Sequence, residues 1–241
     1  MTDSLELPEW QVKYNKQLSI LGEMKENENL LRFDNRYIKI SDITSQYYCE
    51  KKVELRYVHG DIDTEEKLLG REKHDEVEQE LVEITMQQAW EQIFTVDRFS
   101  LSESLFFAKY KDNYLVFKPD RVLFVAGVPK ILIEYKFSRY SRPFISHHVQ
   151  LQTEGYLLSK LGFDISTLYY LIIIAPIKAD RDSKYLSNIP KRIYEMIKLY
   201  TKDEQYGFRD INAYLYKFNK ETAKRTLNGR LNTGIRRGMP N

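Results

Sequence analysis

The sequence predicts an α/β protein in which a central mixed β-sheet is flanked by helices and preceded by an N-terminal helical region. Three observations carry this. Strand-like runs cluster between residues 105 and 137, a helical stretch follows over 144–161, and Leu168-Tyr169-Tyr170-Leu171-Ile172-Ile173-Ile174-Ala175 is a continuous apolar run of strand length. A run of that kind suits a strand covered on both faces. At 241 residues, 42% hydrophobic and 13% aromatic, the chain can bury a sizeable core.

Residues 1–40 are polar and rich in Asn, Glu and Lys, with Leu30, Leu31, Phe33, Tyr37 and Ile38 as the concentrated apolar signal, and read as a peripheral lead-in. Ser41 or Asp42 is placed to cap a helix of about twelve residues. A long helix is expected over 64–93, interrupted at Gly70; His74, Val77, Leu81 and Ile84 share one stripe of it. Strands are expected at 105–108, 114–118, 121–126 and 131–137. The turns at Lys111-Asp112-Asn113 and Ala126-Gly127 make them antiparallel neighbours. Gly162 is positioned to stop the helix at 144–161, and Pro190 to open another carrying Ile193, Met196, Ile197 and Tyr200. A short helix is expected over 211–218. The division is a lead-in at 1–40, one domain at 41–215 and a basic tail at 216–241. In that tail Lys217, Lys220, Lys224, Arg225, Arg230, Arg236 and Arg237 face the single acid Glu221. The tail fits either contact with phosphates or an ordinary solvated terminus.

Thirty-seven basic against 35 acidic residues give a net charge of +2, so charge balance alone announces no polyanion partner. One cysteine, Cys49, excludes an intramolecular disulfide and a cluster held by four cysteines of one chain. The N-terminal residues show no basic segment followed by an apolar stretch, and the run at 168–175 is too short to span a bilayer. A cytoplasmic setting without membrane contact is expected.

Charge inside the strand region is the feature that points to chemistry. Asp120 ends the approach to one strand, and Glu134 and Lys136 lie on the next, sharing a face because strand side chains alternate. Two neighbouring carboxylates repel unless a cation separates them, and Mg2+ or Mn2+ prefers hard oxygen ligands. Such a cation acidifies water and neutralises charge on a phosphoryl oxygen, which suits phosphodiester hydrolysis. Lys136 could position or deprotonate the attacking water, or donate to the phosphate. The same residues also fit a wet strand face with an ordinary ion pair. On the following helix, Gln152 and Tyr156 stand four apart with His148 one turn earlier, a line that offers hydrogen bonds and a stacking ring to nucleic acid, or a polar helix edge. His74 on its apolar stripe reads as a core histidine or as a further metal ligand.

Taken in order, Gly70-Arg71-Glu72-Lys73-His74, Pro119-Asp120, Glu134-Tyr135-Lys136 and Gln152-Thr153-Glu154-Gly155-Tyr156 resemble the PD-(D/E)XK nuclease superfamily, specifically its RecB-type branch. The segment from Ile43 through Cys49 to Lys52 is similar to the start of the CRISPR-associated exonucleases of that branch. The resemblance covers roughly residues 41–176. It implies a restriction-endonuclease-like core and Mg2+- or Mn2+-dependent cleavage of DNA, as single strands or duplex ends. His74, Asp120, Glu134 and the backbone carbonyl of Tyr135 would be metal ligands, Lys136 the catalytic lysine, and Gln152, Tyr156 and His148 DNA contacts or site support. It also implies partners in recombination, repair or CRISPR adaptation, the last a form of antiviral defence. Residues 177–241 contain none of the cysteines with which iron-sulfur relatives complete their cluster, so no iron-sulfur cluster is expected and Cys49 becomes a core cysteine. Two other classes fit the same residues: a non-catalytic nucleic-acid-binding or scaffold protein on this fold, and a sequence-specific restriction-type endonuclease.

Overall fold

The computed structural model describes residues 6–61, 68, 84–176, 183–197, 203–208 and 210–231. The chain is α/β, with mixed β-structure flanked by helices. The six-stranded sheet has the order β2 (Arg98–Ser102), β5 (Arg121–Val125), β6 (Val128–Phe137), β7 (Tyr169–Ala175), β9 (Ile211–Lys217) and β8 (Glu204–Phe208). Strands β6 and β7 are parallel and every other pairing is antiparallel. Helix α5 (Ile145–Lys160) joins the parallel pair, as a parallel connection requires. A second, three-stranded sheet has the order β1 (Ile38–Lys39), β4 (Asn113–Phe117) and β3 (Phe106–Tyr110). The expected strands at 105–118 thus form, but as a separate sheet and not beside β5.

Alternation along β6 and β7 divides the core in two. Leu132, Tyr170, Ile172 and Ile174 pack with α5, while Ile131, Ile133, Tyr135, Leu171 and Ile173 pack with Ile189 and Ile193 of α6 (Ser183–Ile197). Glu134 and Lys136 have the parity of Leu132 and fall on the α5 side. Gly155 of α5 lets the following segments close in, since a Cβ there would lie 2.6 Å from the ring of Phe218 and 3.0 Å from Leu168. Helix α5 ends as expected at Gly162, whose φ is +92°. Its last carbonyls are met by lysines: Lys16 Nζ donates to the Lys160 carbonyl at 2.9 Å and Lys13 Nζ to that of Gly162 at 2.7 Å.

Those lysines belong to α1 (Glu9–Glu26), so the stretch read as a peripheral lead-in contributes to the core. Ile20 and Met24 are buried, and the buried Gln17 accepts the Phe107 N–H at 2.7 Å. Polar composition hid this helix because few of its positions are apolar. The helix expected from Ser41 splits into α2 (Ile40–Tyr48) and α3 (Glu50–His59) at Cys49, whose backbone is extended. Asp42 is not the cap; it is buried within α2, where it pairs with Arg56 and accepts from Tyr57 Oη at 2.5 Å. Cys49 is exposed, contrary to the core position expected.

Of the helix expected over 64–93, the described part begins afresh as α4 (Met86–Thr95). Thr85 and Gln88 form a capping box there: Gln88 N–H donates to Thr85 Oγ1 at 3.2 Å and Thr85 N–H to Gln88 Oε1 at 2.9 Å. Thr85→Ala is expected to destabilise the protein by about 1 kcal/mol, read as a lower urea midpoint at unchanged slope. The segment 211–218 is strand β9 and not a helix, because Ile211, Ala213 and Leu215 alternate as a buried face. Pro190 lies inside α6 and does not open it. The basic tail begins as helix α7 (Lys220–Leu231), which buries Ala223, Leu227 and Leu231. Among the described residues, no helix is long and apolar enough to cross a membrane.

Candidate functional site

The three charges singled out in the sequence meet at the end of β5. The chain reaches Asp120 just before β5 starts, and Asp120 Oδ2 accepts the Tyr135 backbone N–H at 2.7 Å, taking the place of a strand partner. A strand residue directs its N–H and C=O to the same side, so the Tyr135 carbonyl also faces the Asp120 side. Next to it, Glu134 is 1% exposed and pairs with Lys136.

Helix α5 closes the site with residues that the sequence reading passed over. Gln150 Nε2 donates to Glu134 Oε2 at 2.7 Å, and more weakly to Glu154 Oε1 at 3.4 Å. His147, Gln150 and Glu154 form one polar line of the helix at spacings of three and four. The line chosen from sequence, His148, Gln152 and Tyr156, is about half a turn away and goes elsewhere. His148 Nδ1 lies 3.1 Å from Tyr170 Oη, and Gln152 Nε2 reaches that same oxygen at 3.5 Å. Tyr156 is buried edge-on against Tyr110 with ring centroids 5.5 Å apart. A signal for the line that faces Glu134 was present: Glu154 is an acid set among Leu151, Leu157 and Leu158, and an acid among core residues calls for a reason. His74 lies outside the described residues.

The electrostatics follow from three carboxyl groups gathered round one ammonium. Burial pushes the Asp120 carboxyl up to about 6, although the Lys136 charge and the Tyr135 N–H pull it down. Burial, then repulsion from Glu134 and Asp120, holds Glu154 well above the ordinary carboxylate range. For Lys136 burial acts to lower the pKa, but Glu134 and Asp120 outweigh it and hold the ammonium above its usual range. His147 is pushed down to about 4 by burial first and by the Lys136 charge second. It accepts the Phe144 N–H through Nδ1 at 3.3 Å, as a neutral imidazole can.

As donors, Asp120, Glu134 and the Tyr135 carbonyl are the hard oxygens that Mg2+ or Mn2+ takes. The charge also fits, since the single ammonium of Lys136 faces the carboxyl groups of Asp120, Glu134 and Glu154. The ligand geometry is not assembled: among the described residues no three His, Cys, Asp or Glu side chains are grouped to hold an ion. Glu134 engages Lys136 through Oε1 and Gln150 through Oε2 and would have to turn a remaining lone pair toward an ion to serve as a ligand.

No family model matches the chain, and no curated protein matches it. Among solved structures, the crystal structure of SSO0001 aligns with 78% of this chain and 87% of its own, at 17% identity and a TM-score of 0.34. A likeness that loose says nothing about function.

Proposed function

We propose that this protein is a Mg2+- or Mn2+-dependent deoxyribonuclease whose centre is the Asp120, Glu134 and Lys136 corner. The observation that carries the reading is the convergence of those residues, 14 and 16 positions apart in the chain, through the Asp120–Tyr135 hydrogen bond and the Glu134–Lys136 pair. A divalent cation held by Asp120, Glu134 and the Tyr135 carbonyl would supply charge neutralisation and an acidified water. The protein's own groups do the rest. Lys136, kept protonated by its acidic neighbours, is unsuited to remove a proton from water; it donates to the scissile phosphate and offsets its growing negative charge. Gln150 fixes the Glu134 carboxylate, which is held away from solvent.

The resemblance to RecB-type nucleases favours single strands or DNA ends as substrate, and recombination, repair or CRISPR-adaptation proteins as partners. One observation favours a non-catalytic role instead: Lys136 and Glu134 already satisfy each other. Incubating the protein and Asp120→Ala with end-labelled single-stranded and duplex DNA and Mg2+ or Mn2+ separates the readings. The wild type should cut and the variant, folded by circular dichroism, should not. Equal cutting by both would refute the assignment, and discrete internal fragments from duplexes would point to a restriction-type enzyme.

A further inference from the structure

A cavity of about 350 Å³ opens beside the candidate site, within the size range of small-ligand sites. Its wall is mostly apolar and aromatic, including Tyr37, Leu105, Phe107 and Phe117, and its polar lining includes Gln150, Glu154 and Lys118. Gln150 thereby touches both places, lining the cavity while donating to Glu134 at 2.7 Å. Glu154 is 2% exposed, and its Oε2 has no hydrogen-bond partner among the described residues. A buried carboxyl oxygen without a partner is costly, and a ligand whose edge pairs an N–H with an acceptor, as a nucleobase edge does, would satisfy it whether or not the carboxyl carries its proton. The exposed Lys39 also lines the cavity and adds a positive charge.

An aromatic lining, a buried carboxyl oxygen without a partner and a cation nearby match a nucleobase on a phosphate backbone. A second cavity of about 360 Å³ shares Tyr37, and in it Phe33 stacks on Tyr57 at 5.0 Å with Arg32 4.7 Å from the Phe33 ring. Two aromatic cavities meeting at one tyrosine suit successive bases of a strand better than an isolated small molecule.

We propose that the cavity lined by Glu154 and Phe117 receives one unstacked base of the strand whose phosphate is cut at Asp120 and Glu134, a reading that rests on the nuclease assignment above. Duplex DNA keeps its bases paired and cannot fill the cavity without unstacking, so the site selects single-stranded or frayed DNA.

An abasic walk tests this. Oligonucleotides carrying one abasic position at successive distances from the cleaved bond are digested by the wild type and by Leu105→Trp, a change at a side chain 42% exposed that narrows the cavity. The wild type should lose about tenfold or more at one position only, and Leu105→Trp should cut slowly without regard to that position. Uniform cutting by the wild type, or unchanged position dependence in Leu105→Trp, overturns the base site while leaving the nuclease standing. If the wild type cuts no DNA, the nuclease assignment fails and calorimetry judges the cavity. Deoxynucleoside 5′-monophosphates should then bind where deoxyribose 5-phosphate does not, with affinity lost in Leu105→Trp. Equal binding of both, or of neither, overturns it.

Discussion

Lys136→Met is expected to lower cleavage by about a thousandfold and to destabilise the protein by about 3 kcal/mol. The two effects share one cause. Glu134 is 1% exposed, and in the variant its carboxylate keeps the Gln150 amide but loses the ammonium. Removing one partner of a buried pair strands the other, which is worse than removing both. The Lys136 side chain is 31% exposed, so water softens the loss and the lower end of the usual range applies. Stability and chemistry then separate in the double variant Glu134→Gln/Lys136→Met. Its urea midpoint should return most of the way to the wild-type value while cleavage stays lost. Recovery of cleavage with recovery of the fold would mean that the pair is structural only.

The parts of this protein that were legible in sequence are those governed by short-range pattern. The alternation of 121–137, the apolar run at 168–175 and the glycine stop at Gly162 each became the expected element because local periodicity matched burial. The misreadings have the opposite character. The segment 211–218 carries Tyr214 and Tyr216 among small and apolar residues, and a pattern that short fits either period; pairing with β7 decided it. Helix α1 is held by Gln17 and two lysines reaching the end of α5, contacts more than 85 residues distant in sequence that composition cannot announce. The site divides along the same line. Asp120, Glu134 and Lys136 stood out because charge interrupts a core strand, and the structure brings them together. The phase of α5 was harder to read, because His147/Gln150/Glu154 and His148/Gln152/Tyr156 are both polar lines and the one sequence signal separating them was an acid, Glu154, among leucines. The packing of Tyr156 against Tyr110 and of Gln150 against Glu134 separates them plainly.

Asp120→Asn and His147→Gln are expected to tilt the pH dependence of stability in opposite directions, in the presence of a chelator. Burial raises Asp120 from 3.8 to about 6, so the folded protein holds this proton more tightly than the unfolded chain does. Its contribution therefore falls as pH rises from about 4 to about 6. His147 is displaced the other way, from 6.5 to about 4, by burial and by the Lys136 charge. The fold prefers it neutral, so its contribution grows as pH rises from about 4 to about 6.5. The two act over the same window with opposite sign, and in the wild type they largely cancel. Replacing Asp120 with Asn leaves the histidine unopposed, and stability relative to wild type should climb across the window by on the order of 2 kcal/mol. Replacing His147 with Gln should make it drop by a similar amount. His148 also carries a displaced pKa but is present in all three proteins, so the comparison is variant minus wild type at about pH 4.5 and about pH 7. Glu154 loses the Asp120 repulsion in Asp120→Asn while burial and Glu134 still hold its pKa up, so the double variant Asp120→Asn/Glu154→Gln against Glu154→Gln isolates the Asp120 contribution. Parallel curves for the two variants would show that the corner is wetter than its geometry indicates. Adding Mn2+ at the higher pH extends the test to the metal: an ion bound at Asp120 stabilises the wild type and His147→Gln, and Asp120→Asn much less.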